Sequence, residues 1–90
     1  MIVEWRAQAR EDRSNIFDYI ADDNPDRIAQ QTDALPEHPE LYRVGRMRGT
    51  REMVLAPNYV LVYRVLTRAG IIEIVRIVGA RQDYGRRAKA

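Results

Sequence analysis

Two apolar runs joined by a short turn constrain the fold of this chain more than any other feature. Residues 59–65, with the sequence YVLVYRV, are apolar on both alternating faces, which is typical of a strand that is covered on both sides. Residues 67–70 predict a turn that ends in glycine, and residues 71–78 predict a second long strand. Residues 50–56 predict a further strand before a Pro-Asn turn. The C-terminal half is therefore expected to form a small, mainly antiparallel sheet.

The N-terminal half has a helical pattern. Residues 2–5 form a short apolar run of strand character, and residues 7–21 lack glycine and proline and tolerate a helix. Pro25 must end that helix and can begin a second one, of about ten residues, with Asn24 as its N-cap. A strand, a helical hairpin and three or so antiparallel strands predict a single α+β domain over residues 1–90, with the helices packed on the sheet.

Helical spacing divides the predicted helices into a buried side and a solvated side. On the first helix, five apolar residues can share a face, and these are Ala9, Ile16, Phe17, Tyr19 and Ile20. We assign Asp12, Asp18 and Asp22 to a solvated acidic face. The second helix has one stripe that is expected to be buried, which consists of Ile28, Thr32 and Leu35.

Charge is distributed unevenly along the chain. Residues 1–40 carry four arginines and ten acidic residues, a formal charge of −6, whereas residues 41–90 carry ten arginines and one lysine against three acidic residues, a formal charge of +8. Arginine binds phosphate and carboxylate in a bidentate manner, so the C-terminal half is expected to bind an anionic partner. Cysteine is absent and no apolar run is long enough to span a bilayer, so we expect a cytoplasmic protein without a membrane partner.

Most enzyme signatures are missing from the sequence. There is no glycine-rich phosphate loop and no spacing typical of zinc ligands, so neither a cofactor nor a metal ion is expected. The single histidine, His38, lies between two prolines and is interpreted as an exposed loop residue. Ser14 lies in the middle of a predicted helix with no histidine near it in the sequence, which argues against a serine nucleophile.

The candidate binding residues are arginines of the C-terminal half. Six of them are expected to contact a nucleic acid or a protein partner: Arg46, Arg48, Arg64, Arg76, Arg86 and Arg87. Two alternatives stay open for Arg64 and Arg76, which interrupt apolar strands. They could line one concave face of the sheet, or each could pair across strands with Glu52 or Glu73.

The order of several short motifs resembles the RelE/ParE toxin superfamily over nearly the whole chain. The motifs are MIVEW at the N-terminus, PEHP at residues 36–39, GTREMV at 49–54, PNYVLVYRV at 57–65 and IVRIVGARQ at 74–82. The resemblance implies a small α+β toxin of a type II toxin–antitoxin system, a cognate antitoxin encoded by an adjacent gene, and growth arrest when the toxin is free. Plasmid or chromosomal-cassette stabilization is the usual setting.

The superfamily has two branches with different targets. RelE-like members cut mRNA in the ribosome, which requires basic groups and an acid or base close together. They take these from basic residues on the central strands, an arginine after the last strand, and a C-terminal tyrosine or histidine. The nearest matches, and hence the candidate catalytic residues, are Arg51, Arg81 and Tyr84. ParE-like members inhibit DNA gyrase, and their helical hairpin, which is longer than the one predicted here, is tied to that inhibition.

Three positions depart from the RelE-like pattern. Met53 and Val60 stand where RelE-like members often have basic residues, and Val78 stands near the histidine of many relatives. Gyrase is therefore slightly favoured as the target, with ribosome-dependent mRNA cleavage as the alternative and a non-toxic binding module as a third hypothesis. For a toxin, we expect an acidic or amphipathic antitoxin segment to cover Arg51, Arg64 and Arg81.

Overall fold

One mixed sheet organises the part of the chain that the structure, a computed structural model, describes: residues 1–21 and 26–79, with only the backbone described at 17–21. The elements, in chain order, are β1 (Ile2–Trp5), α1 (Ala7–Ala21), α2 (Arg27–Asp33), a 3₁₀ turn (Leu35–Glu37), β2 (Arg43–Val44), β3 (Arg51–Ala56), β4 (Tyr59–Leu66) and β5 (Ile71–Gly79). The predicted α+β class, with an N-terminal strand and a helical hairpin before the sheet, is confirmed.

The strands lie in the order β1-β5-β4-β3-β2. The pairs among β2, β3, β4 and β5 are antiparallel, and β1 runs parallel to β5 with Ile2 opposite Ile71. β4 lies between β5 and β3, which confirms the prediction that residues 59–65 form a central strand covered on both sides. The parallel pairing of β1 was not predicted, because it joins two segments about 70 residues apart whose register no local pattern encodes.

The two faces of the sheet carry separate apolar clusters. One cluster joins Leu61 and Tyr63 of β4 to Ala9 and Ile16 of α1, so it forms the main core between sheet and helices. The other consists of the four valines Val60, Val62, Val75 and Val78, with Met47 packed against them. Alternate residues of β4 therefore enter different clusters, as the period of two in a strand requires.

Helix α1 has the predicted bounds, but one side chain lies on the opposite side from that expected. Ala9 and Ile16 are buried, as predicted. The assignment of Asp12 to the solvated face is wrong, because this carboxylate is buried. The other predicted side chains are not described: those of Phe17, Asp18, Tyr19 and Ile20, and the whole of Asp22, lie outside the described part of the chain. Since positions 9, 12 and 16 follow helical spacing, Asp12 shares the buried stripe of α1.

Helix α2 is shorter than predicted. The predicted cap and first residue, Asn24 and Pro25, lie outside the described residues, and the helix ends at Asp33. The chain then tightens into the 3₁₀ turn, which suits Pro36 because proline lacks an N–H and disfavours an α conformation in the residue before it. The predicted stripe of this helix is confirmed, since its three members are all buried: Ile28, Thr32 and Leu35. Within the described residues, no helix is long and apolar enough to cross a membrane.

Candidate functional site

A buried glutamate holds the corner between β2 and β3. Glu52 has 2% of its side chain exposed, and its Oε1 accepts hydrogen bonds from Nε and Nη2 of Arg43, at 3.1 and 2.8 Å. Its Oε2 accepts from the backbone N–H and the Nε of Arg46, at 3.0 and 3.1 Å. One carboxylate thus bridges two guanidinium groups and offsets one of their two charges. Arg46, a predicted binding residue, is part of this corner.

The corner also depends on a glycine. Gly45 donates its N–H to the carbonyl of Thr50 at 2.8 Å, and a Cβ atom built on Gly45 would overlap the Thr50 side chain. A residue with a side chain would push the two strands apart at this point. The loop between them carries Arg48, which is exposed, near its tip.

Arg64 pairs with the residue opposite it on the neighbouring strand. Its Nη2 and Nε donate to Oε1 of Glu73 at 2.6 and 3.1 Å, with the two residues facing each other across β4 and β5. Of the two alternatives for Arg64, pairing across strands is therefore confirmed. Both side chains remain partly exposed, so water still screens the pair.

Arg76 pairs with a helix rather than with either strand glutamate. Its Nε donates to Oδ2 of Asp12 at 2.7 Å and its Nη2 to Oδ1 at 3.1 Å. The backbone N–H of Ile77 donates to the same Oδ2 at 3.0 Å. The pairing of β5 with β1 ends at Ile74, three residues before Ile77. Asp12 therefore accepts a backbone hydrogen bond from a part of the β5 edge that β1 does not reach. The predicted pairing of Arg76 with Glu52 or Glu73 is wrong.

The ionisation of Asp12 and Arg76 follows from this geometry. Burial opposes the charge of Asp12, but the hydrogen bonds from Arg76, from the Ile77 N–H and from Gln8 outweigh it and hold the pKa of that carboxyl below its ordinary value. The same carboxylate raises the pKa of Arg76. Asp12 and Arg76 therefore form a charged link between α1 and β5 at neutral pH.

Arg51 is held in a different way, by backbone carbonyls. Its Nη1 donates to the carbonyl oxygens of Tyr42 and Glu40, at 2.8 and 3.3 Å. It lies opposite Tyr63, whose hydroxyl donates to the carbonyl of Pro39 at 2.6 Å. Burial raises the pKa of Tyr63 to about 12, so this phenol stays protonated at physiological pH and keeps the proton that it donates to Pro39.

A groove lies beside Arg51, at the end of the sheet where β4 turns into β5. It has a volume of about 310 Å³. We name it the Arg51 groove, and it is lined by Glu40, Val44, Gly49, Thr50, Arg51, Val65 and Thr67. The lining combines a cation, a carboxylate, hydroxyl groups and aliphatic side chains.

The structure brings few of the predicted site residues together. Among the described arginines, Arg46, Arg64 and Arg76 are engaged by carboxylates, Arg51 lines the groove, and Arg48 is exposed on the loop near it. The other candidates lie outside the described residues, and these are Arg81, Tyr84, Arg86 and Arg87. His38 is exposed, as predicted. Within the described chain, no group of three or more potential metal ligands is placed to hold a metal ion.

Sequence reasoning missed Asp12. The signal was present, because an acidic residue at helical spacing from Ala9 and Ile16 stands on a stripe that must be buried. A buried carboxylate needs a cationic or N–H partner, so this position could have been matched to one of the strand arginines.

Comparisons with known proteins agree on one family. The family model described as ParE toxin of type II toxin–antitoxin system, parDE, matches residues 3–84. The protein named as putative toxin Y4kP, from Sinorhizobium fredii (strain NBRC 101917 / NGR234), is 34% identical to this chain over an alignment of 90 positions. The alignment covers 91% of each chain.

Two solved structures show the same fold. The chromosomal ParDE TA system from P. aeruginosa matches with a TM-score of 0.69 and 23% identity, over 88% of this chain and 95% of that one. The intact E. coli RelBE toxin–antitoxin complex matches with a TM-score of 0.70 and 12% identity, over 90% of this chain and 98% of that one. The resemblance to the RelE/ParE superfamily that the motifs indicated is thereby confirmed.

Proposed function

Because this chain belongs to the ParE toxin family of type II toxin–antitoxin systems, we propose that it arrests bacterial growth by inhibiting DNA gyrase. We further propose that an antitoxin encoded by an adjacent gene binds it and holds it inactive. Gyrase works in the cytoplasm, which is the compartment that this proposal requires.

The observation that carries the choice of target is the burial of three sheet positions. Met53, Val60 and Val78 are each 1% exposed. These are the positions at which RelE-like members often supply basic or histidine groups, and here they are packed apolar side chains. RNA cleavage needs a group to take the proton of the 2′-hydroxyl and cations to offset the phosphate charge. The core supplies neither at these three positions.

The arginines on the strands also argue against RNA as the target. Arg64 on β4 and Arg76 on β5 each already face a carboxylate. An arginine that is neutralised in this way adds little positive potential for an RNA phosphate. This supports a target recognised by protein surface rather than by phosphodiester chemistry.

The antitoxin partner has separate support. The two similar structures are toxin–antitoxin systems, ParDE and RelBE. The basic half of this chain, at a formal charge of +8, suits an acidic or amphipathic neutralising segment.

Expression of this chain without the neighbouring gene tests the proposal. Growth should stop, DNA breaks that depend on gyrase should accumulate, and the purified toxin should inhibit supercoiling by purified gyrase. Ribosomal mRNA from the same cells should show no codon-specific cuts. Co-expression of the neighbouring gene should restore growth.

Two outcomes would contradict the gyrase assignment. Codon-specific mRNA cuts that Arg81→Ala or Tyr84→Phe abolishes, with normal gyrase activity, would identify a ribosome-dependent endonuclease instead. Unimpaired growth with a protein that circular dichroism shows to be folded would identify a non-toxic binding module.

A further inference from the structure

The Arg51 groove contains a cation whose hydrogen-bonding capacity is only partly used. A guanidinium group has five N–H donors, on Nε, Nη1 and Nη2. In Arg51, Nη1 donates hydrogen bonds to the carbonyls of Tyr42 and Glu40, and no described residue accepts a hydrogen bond from Nε or Nη2. These carbonyls fix the direction of the guanidinium without neutralising it. Arg51 is therefore a charged donor held in place at the side of a groove.

The same groove offers aliphatic surface. Val44 is 75% exposed, although it lies in a strand, and Val65 is half-buried at the end of β4. Leu41, three residues before Val44, is also exposed. Val44 and Val65 line the same groove, so a partner that enters it can cover both.

The charges around the groove favour an anionic occupant. Arg48 and Arg68 adjoin the lining residues Gly49 and Thr67 in the chain; both are exposed, and no described residue forms an ion pair or side-chain hydrogen bond with either. Glu40 lines the groove as well, but its carboxylate makes no ion pair with Arg51. Three arginines against one glutamate leave a positive field that attracts a carboxylate or a phosphate.

The lining distinguishes between these two anions. Proteins that bind unpaired RNA stack bases on aromatic rings, and none of the described residues that line this groove is aromatic. Its non-polar contacts come from Val44 and Val65, which suit aliphatic side chains. The lining therefore fits a peptide better than RNA.

We propose that the Arg51 groove receives an extended segment of the antitoxin in which an aspartate or glutamate stands between aliphatic residues. The carboxylate accepts from Nε and Nη2 of Arg51, and the aliphatic side chains cover Val44 and Val65. This proposal rests on the proposed function, because the partner is the antitoxin. The proposal assigns the contact with the antitoxin to Arg51 and not to Arg64, because Arg64 is already paired with Glu73 and stays so in the complex.

Titration of the full-length toxin with the protein encoded by the neighbouring gene, and with synthetic 15-residue peptides that tile it, tests the proposal. Arg51→Gln removes the charge and keeps a donor for the Tyr42 carbonyl, so it should weaken binding at least about tenfold, or about 1.4 kcal/mol. Val44→Glu changes an exposed side chain and should spare the fold, and like-charge repulsion should again weaken binding about tenfold.

A matched control is available at the other edge of the sheet. Arg6 is exposed at the end of β1, and β5 and β4 separate β1 from β3. Arg6→Gln removes the same charge and should change the dissociation constant less than about twofold. The tightest peptide should contain an acidic residue flanked by aliphatic ones.

The outcomes separate the groove from the function. A neighbouring protein that neutralises the toxin but binds wild type, Arg51→Gln and Val44→Glu equally would contradict binding in the groove and leave the proposed function standing. A neighbouring protein that neither binds nor restores growth would overturn both. The third outcome is a single-stranded RNA oligonucleotide that binds instead, with an affinity that depends on Arg51 and without displacement by the peptides. That result would show that the groove binds RNA and would contradict the proposed peptide.

Discussion

The arginines that pair with a carboxylate and those around the Arg51 groove face different surroundings. Arg64 on β4 and Arg76 on β5 each donate two hydrogen bonds to a carboxylate. Around the groove, Arg48 and Arg68 are exposed with no ion-pair partner among the described residues, and Arg51 meets carbonyl oxygens that carry no net charge. The first set is neutralised within the fold, and the second keeps its charge.

This difference shows that a basic segment is not by itself a binding surface. Arg64 and Arg76 lie on interior strands with 40% and 33% of their side chains exposed, and a carboxylate offsets the hydration that each guanidinium loses. Arg48 and Arg68 lie in exposed turns, where water solvates an unpaired guanidinium and no acid is needed. The cations that stay available to a partner are therefore those around the Arg51 groove.

The largest expected effect is at the buried corner, where Glu52→Gln should lower the free energy of unfolding by about 3 kcal/mol. The change removes the charge that Arg43 and Arg46 share and leaves both guanidinium groups beside a neutral amide. Urea denaturation measures the loss. Amide hydrogen exchange should also become faster in residues 43–50, because the backbone N–H of Arg46 loses a charged acceptor.

Glu73→Gln is the matched control for that variant. It neutralises a carboxylate of the same length on the same sheet, but one that is partly exposed and serves a single arginine. An equal loss of stability in the two variants would show that burial of Glu52 contributes nothing, and the contrast between paired and unpaired arginines would lose its energetic basis.

The next effect is at the link between α1 and β5, where Asp12→Asn should cost about 2 kcal/mol at neutral pH. The loss should depend on pH. Because the pKa of Asp12 is lowered in the folded state, its contribution is fully present above the ordinary value of 3.8 and disappears as the pH falls through the lowered value. Wild type and variant should therefore converge in acid.

Urea denaturation between pH 7 and pH 2 measures this convergence, with Glu4→Gln, an exposed carboxylate on β1, as the control. A stability difference between Asp12→Asn and wild type that stays constant over this range would mean that the charge of Asp12 is not what stabilises the link.

Local pattern was sufficient to predict most of the fold. The extended apolar pattern identified the three long strands, and each predicted range differs from the observed one by a single residue at one end. The spacing of Ala9 and Ile16 oriented the first helix. The possible pairing of Arg64 with Glu73 could also be recognised, because the two residues flank one turn symmetrically. The end of α2 was misjudged, because the 3₁₀ turn at Leu35 continues the helical spacing past the last α-helical residue.

The candidate site was less predictable than the fold. Arg76 and Asp12 are 64 residues apart, and their contact depends on how α1 crosses the edge of β5 where β1 ends. Nothing local to either residue encodes that crossing. The Arg51 groove likewise forms from the ends of three strands, so its lining could not be assembled from any one segment.

The smallest expected effect concerns the partly exposed pair of Arg64 and Glu73. A double-mutant cycle with Arg64→Gln and Glu73→Gln should give a coupling energy of about 0.5 kcal/mol, because water screens two side chains that remain 40% and 23% exposed. Arg48→Gln should change the free energy of unfolding by less than that, since no described residue pairs with it. Raising the salt concentration should reduce the coupling in the cycle and leave the effect of Arg48→Gln unchanged. A larger effect at Arg48 than at Arg64 would reverse the comparison, because it would place a stabilising partner near the groove and leave the dispensable charge in the pair of Arg64 and Glu73.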